Sequence, residues 1–174
     1  MNHSRNIKTI LLALFAILTG ITTSLKAQST NSVRVSAILK TEHDDPKGSI
    51  AEVVKRQLEI EVSGSSSVQG EVKVICTFFA DDLTTKKLTA MKSDNIKATL
   101  VAGKRTSLKS PVMTFSFTPE HSEKSGSGKR ARYKRVDATG KRYHGWAVQV
   151  YSGDRLVGEA YSLPALKTLM NRDR

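Results

Sequence analysis

The sequence predicts an all-β protein: an immunoglobulin-like β-sandwich of seven to nine short antiparallel strands, preceded by a signal peptide helix. Three observations predict it. Apolar residues recur at every second position in one run after another, most clearly where Leu58, Ile60 and Val62 are set between Gln57, Glu59 and Glu61. Clusters of Gly, Ser, Asp and Pro separate those runs at short intervals. No amphipathic stretch of ordinary helical length follows Ala27. Cys76 is the single cysteine, so the Cys-Trp-Cys pattern of true immunoglobulin domains is absent and the core has to hold without an internal disulfide.

Residues 1–27 read as a secretory signal peptide. His3, Arg5 and Lys8 make a positive start, Thr9 to Ile21 is an uncharged and mostly apolar run, and Thr22 to Ala27 is polar and small, ending in Leu-Lys-Ala. The other reading is an uncleaved anchor helix. The apolar run has 13 residues, short of the ~20 that span a bilayer, which points to cleavage near Ala27–Gln28. No cysteine directly follows the run, so a lipoprotein is not expected, and no later stretch resembles a membrane span. Residues 28–174 are one domain's worth of chain, enough for one substantial core. Three of the 28 Lys and Arg residues precede Gln28 and all 16 Asp and Glu follow it, so this part carries a net charge of +9.

Val33 to Ile38 opens the domain as an alternating strand, and Thr41 to Gly48, with His43-Asp44-Asp45-Pro46, is a turn cluster. Arg56 to Val62 follows with the cleanest alternation, then the flexible Ser63-Gly64-Ser65-Ser66-Ser67. Glu71 to Ala80 has one face of Val72, Val74, Cys76 and Phe78. Its second face holds Ile75 and Phe79, so that side is expected to be partly covered too. On the first face, Cys76 reads as a small buried hydrophobe; the alternatives are a nucleophile or an intermolecular bridge. Lys87 to Met91 and Ile96 to Val101 are shorter candidates, and Val112 to Thr118 is bracketed by Pro111 and Pro119, as suits strand ends. Glu120 to Gly128 has no apolar period and reads as a mobile loop. Arg130 to Val136 is a further strand candidate, turned by Asp137-Ala138-Thr139-Gly140.

Tyr143 to Tyr151, Ser152-Gly153-Asp154 and Arg155 to Leu163 then read as a β-hairpin, with Trp146, Val148 and Val150 on its core face and Trp146 as the largest core anchor. Leu163 to Met170 suits one or two helical turns, with Pro164 at the first helical position. The run Gly145-Trp146-Ala147-Val148-Gln149-Val150, a turn, Leu156-Val157-Gly158-Glu159-Ala160 and Ser162-Leu163-Pro164-Ala165-Leu166 resembles the C-terminal end of small exported bacterial β-sandwich proteins of no assigned function. The resemblance covers about the last thirty residues and implies the fold and the export; it carries over no catalytic residue.

No motif of catalytic or cofactor quality appears, and no cofactor is expected. Gly126-Ser127-Gly128-Lys129 resembles the end of a phosphate-binding loop, but the earlier glycine is missing and Arg130 stands where Ser or Thr would hold magnesium. Neither the Gly-x-Ser-x-Gly elbow nor His-Glu-x-x-His occurs. His43, His121 and His144 lack a second histidine at metal-ligand spacing, and His43-Asp44-Asp45 offers too few oxygens for a cation site.

Charge is the one functional signal. Between Glu120 and Gly145 lie Lys124, Lys129, Arg130, Arg132, Lys134, Arg135, Lys141 and Arg142 against only Glu120, Glu123 and Asp137, a local +5, with Tyr133 and Tyr143 interleaved. Lys129, Arg130, Arg132, Lys134, Arg135, Lys141 and Arg142 are therefore the candidate anion-binding residues. In a strand, Arg130, Arg132 and Lys134 share one face and Arg135 points away with Tyr133. The competing explanation is a solvated edge whose cations deter strand pairing. The expected function is that of an exported, non-enzymatic interaction or structural protein of the cell envelope, periplasmic or extracellular. Its expected partners are an anionic glycan, a lipid head group or an acidic protein, and nucleic acid is not expected. The alternative is an envelope hydrolase or carbohydrate-active accessory protein.

Overall fold

The computed structural model describes residues 32–172, apart from 45, 93–94 and 127–131. The expected signal peptide and two of the candidate residues, Lys129 and Arg130, lie outside the described residues. The elements are β1 (Arg34–His43), β2 (Glu52–Ser63), β3 (Gly70–Asp82), β4 (Lys87–Lys92), β5 (Ile96–Leu100) and β6 (Arg105–Lys109). They continue with β7 (Met113–Thr118), β8 (His121–Ser125), β9 (Arg132–Val136), β10 (Thr139–Ser152), β11 (Arg155–Tyr161) and one helix, α1 (Pro164–Arg172). All strand pairs are antiparallel.

Nine strands form one sheet along the path β1-β2-β7-β10-β3-β4, with β6 also beside β2, β5 beside β3 and β11 beside β10. Strand β10 is where the sheet turns over. Its Thr139 and Gly140 pair with Thr118 and Phe117 of β7, while Lys141 to Tyr151 pair with β3. One flank (β1, β2, β6, β7) thus faces the other (β3, β4, β5, β11). Leu58, Ile60 and Phe115 from the first are buried in the same core as Val74, Phe78 and Val148 around the second. Each such side chain contributes about 1.5–3 kcal/mol on burial, which makes this shared layer the main source of stability. The sheet edges also meet, since Val33 N–H donates to Val157 C=O at 3.0 Å. Gly140 sits at φ +91°, and a Cβ there would lie 2.5 Å from the Ser116 carbonyl oxygen, so the turn-over point takes only glycine.

Trp146 joins Val148 and Val150 on the core face as expected, though Phe78 and Phe115 are the more completely buried rings. Cys76 is fully buried beside them, which matches its reading as a small hydrophobe. The second face of β3 is covered as well. Helix α1 lays Leu166 on Phe79 and Ala147, with Leu169 and Met170 alongside, so Gln149 and Thr77 end up buried although they lie opposite the core.

Several boundaries differ from the sequence expectation: β2 starts earlier, at Glu52, and Thr139 and Gly140, expected in a turn, begin β10 because they pair with β7. Thr41 to His43 belong to β1, where alternation passes into exposed polar residues that still pair with Arg56, Lys55 and Val54. The eleven strands exceed the expected nine because of β6 and β8. Strand β6 buries only alternate residues partially, and β8 lies in the stretch expected to be a loop. Both are held by ladder hydrogen bonds, to β2 and β9, rather than by an apolar face.

Candidate anion-binding site

Strands β8 and β9 form a two-stranded sheet of their own, inserted between β7 and β10. The register sets His121 opposite Val136, Ser122 opposite Arg135, Glu123 opposite Lys134, Lys124 opposite Tyr133 and Ser125 opposite Arg132. Directly opposed residues share a face. One face therefore carries His121, Glu123, Ser125, Arg132, Lys134 and Val136, and the other carries Ser122, Lys124, Tyr133 and Arg135. Only His121 and Val136, at the base, are partly buried; the rest are exposed.

Within the hairpin the acids are engaged at its base. Glu120 accepts a hydrogen bond from the Arg135 guanidinium. His121 Nδ1 lies 3.1 Å from the Pro119 carbonyl oxygen and its Nε2 3.3 Å from Glu123 Oε1. The Pro119 carbonyl and then the Glu123 carboxylate both favour the imidazolium, so the His121 pKa is raised above 6.5. Arg132 and Lys134 do share a face, with Arg135 and Tyr133 on the other, as strand alternation requires.

The remaining candidates sit elsewhere. Lys141 and Arg142, near the start of β10, lie opposite Asp82 and Asp81 of β3. Arg142 reaches Asp81 at 3.7 Å, and His144, the extra residue of a bulge in β10, places Nδ1 3.1 Å from the same carboxylate. Asp82 accepts the backbone N–H groups of Thr84 and Thr85, at 3.0 and 2.9 Å. The Thr85 bond above all holds its carboxyl below the usual range, and Lys141 adds to the effect. The contiguous basic segment of the sequence thus divides into cations on the hairpin and cations matched by aspartates on the body.

The two interleaved tyrosines divide in the same way. Tyr133 projects from the hairpin, whereas Tyr143 turns inward against the edge of Phe115, with ring centroids 5.5 Å apart. Burial pushes the Tyr143 hydroxyl pKa up, against the opposing pull of Arg56. The Arg56 guanidinium lies 4.7 Å from the Tyr143 ring centroid and donates to the Thr41 hydroxyl. Arg56 shares strand parity with Leu58 and Ile60, so alternation alone places it on the core side; its charge argues for solvent, and stacking on Tyr143 reconciles the two.

A groove of about 290 Å³ lies on the outer surface of β1, β2 and β6, lined by Ser36, Ile38, Glu59, Glu61, Ser107 and Lys109 among others. Its carboxylates are matched: Glu59 by Lys40 at 3.3 Å and Lys109 at 3.9 Å, Glu61 by Arg105 at 3.8 Å. Among the described residues no three His, Cys, Asp or Glu side chains gather in a way that could hold a metal ion. No helix among them is long and apolar enough to cross a membrane.

No family model and no curated protein matches the chain. Solved structures give a weak likeness. A protein from Akkermansia muciniphila is 12% identical over 75% of this chain and 70% of its own, with a TM-score of 0.37. The structural genomics target SoR45 is 14% identical over 78% of this chain and 90% of its own, with a TM-score of 0.35.

Proposed function

We propose that this chain is an exported, non-enzymatic β-sandwich protein of the bacterial cell envelope, and that the β8–β9 hairpin is its binding element for anionic partners. The observation that carries the reading is the hairpin's make-up: four of its ten strand residues, Lys124, Arg132, Lys134 and Arg135, are cations, Arg135 already holding Glu120, on a ladder that pairs with no third strand among the described residues. Cations held on a projecting element keep their solvent exposure and meet a partner without rearrangement of the core. The alternative, a hydrolase or carbohydrate-active accessory protein, would use the outer groove, whose glutamates are already matched by lysines and an arginine.

The test is charge reversal at Arg132 and Lys134 together. The double variant is expected to elute from an anionic-polysaccharide column at clearly lower salt than wild type, with an unchanged melting temperature. Elution at the same salt would reduce the hairpin to a solvated edge.

A further inference from the structure

Tyr133 is 73% exposed, the most exposed of the large apolar and aromatic side chains among the described residues. It stands directly opposite Lys124 and two positions before Arg135, on the face that also carries Ser122. Opposed side chains have Cβ atoms about 5 Å apart, and successive residues on one face lie about 6.6 Å apart. The phenol ring therefore has the Lys124 cation directly across the ladder, with Arg135, which already holds Glu120, and the Ser122 hydroxyl on the same face, on an element that buries almost nothing. This geometry points, we infer, to a stacking platform for one sugar ring of an acidic polysaccharide: the ring's C–H face lies on Tyr133 and its carboxylate or sulfate reaches Lys124. The inference rests on the anion-binding reading of the hairpin and deepens it from charge to ligand class.

Two observations favour a glycan over other polyanions. Tyr133 and Val136 are the only large apolar side chains on the described part of the hairpin, and Val136 is half-buried at its base, so too little apolar surface is offered to enter a lipid interface. Single-stranded nucleic acid is held by several rings on which successive bases stack, along an unbroken cationic track. Here one ring projects, and on the opposite face Glu123 stands directly across from Lys134 and breaks the run of cations.

The experiment measures the affinity of the purified protein for a heparin-derived hexasaccharide across a series of salt concentrations. An oligothymidylate and vesicles containing anionic lipid serve as competing probes. Tyr133→Ala is expected to weaken hexasaccharide binding about tenfold with an unchanged salt slope, because stacking rather than counterion release is lost. Tyr133→Phe is expected to retain wild-type affinity, since the ring face remains. Lys124→Gln is expected to lower the salt slope by about one. If wild type binds the hexasaccharide and Tyr133→Ala binds it equally well, the platform is refuted while the charge-based reading stands. Tighter binding to the oligothymidylate or the vesicles than to the hexasaccharide overturns the glycan assignment. Failure of wild type to bind any of the three overturns the anion-binding reading itself.

Discussion

Trp146 and His121 mark the two kinds of residue that matter in this chain. Trp146 is 9% exposed and packs in the layer shared by both flanks. Its truncation to Ala leaves a large cavity there and is expected to cost about 3–5 kcal/mol in denaturant melts; a loss below about 1 kcal/mol would mean the ring is not packed. His121 works through charge. Its folded pKa lies above the unfolded value near 6.5 because Pro119 and Glu123 favour the imidazolium. Its contribution to stability is therefore fully present below that unfolded value and is lost as the pH rises through the higher folded one. An NMR titration is expected to find His121 titrating above 6.5, and Glu123→Gln to bring it down. Trp146 was legible from alternation alone. The Arg56–Tyr143 stack was only half legible: the parity of Arg56 with Leu58 was visible, but the ring that makes an inward guanidinium tolerable comes from a strand far along the chain.

The strands divide by how much apolar surface they bury. Strands β2, β3, β10 and β11 have a buried face and were plain in the sequence, as was α1 from Pro164. Strand β8, His-Ser-Glu-Lys-Ser, has no apolar period because it has no core to face, so it read as a loop. Periodicity registers burial, and a ladder of backbone hydrogen bonds leaves no mark on it. The candidate site suffered from the same blindness in reverse. Counting charge from Glu120 to Gly145 found the right neighbourhood, but not that Asp81 and Asp82, sixty positions earlier, face Arg142 and Lys141. Thr118 and Thr139 are already paired across the hairpin's base. Replacing residues 120–137 by a short glycine turn is therefore expected to leave the melting temperature within about 3 °C of wild type, measured calorimetrically, while polysaccharide retention is lost. A large destabilisation would show that the hairpin supports the body.

For the whole molecule, the all-β class followed from period-two patterning, turn clusters and the shortage of helix. What stayed hidden was the use of β10 by both flanks and the meeting of Val33 with Val157, since pairings between distant segments are not written locally. Compartment is a property of the whole chain too. Intact-mass measurement of protein recovered from outside the cytoplasm is expected to give a chain beginning at Gln28; a mass that includes Met1 would refute cleavage at Ala27.

Strand β10 also sets a clock. It supplies Trp146, Val148 and Val150 to the core and lies between β3 on one side and β7 and β11 on the other. Until residues 139–152 have left the ribosome, β3 lacks its longest partner and the two flanks lack the strand that joins them. Such long-range pairing is slow even when the chain is complete. The joining of the two flanks therefore falls late in synthesis, after most of the chain has been made.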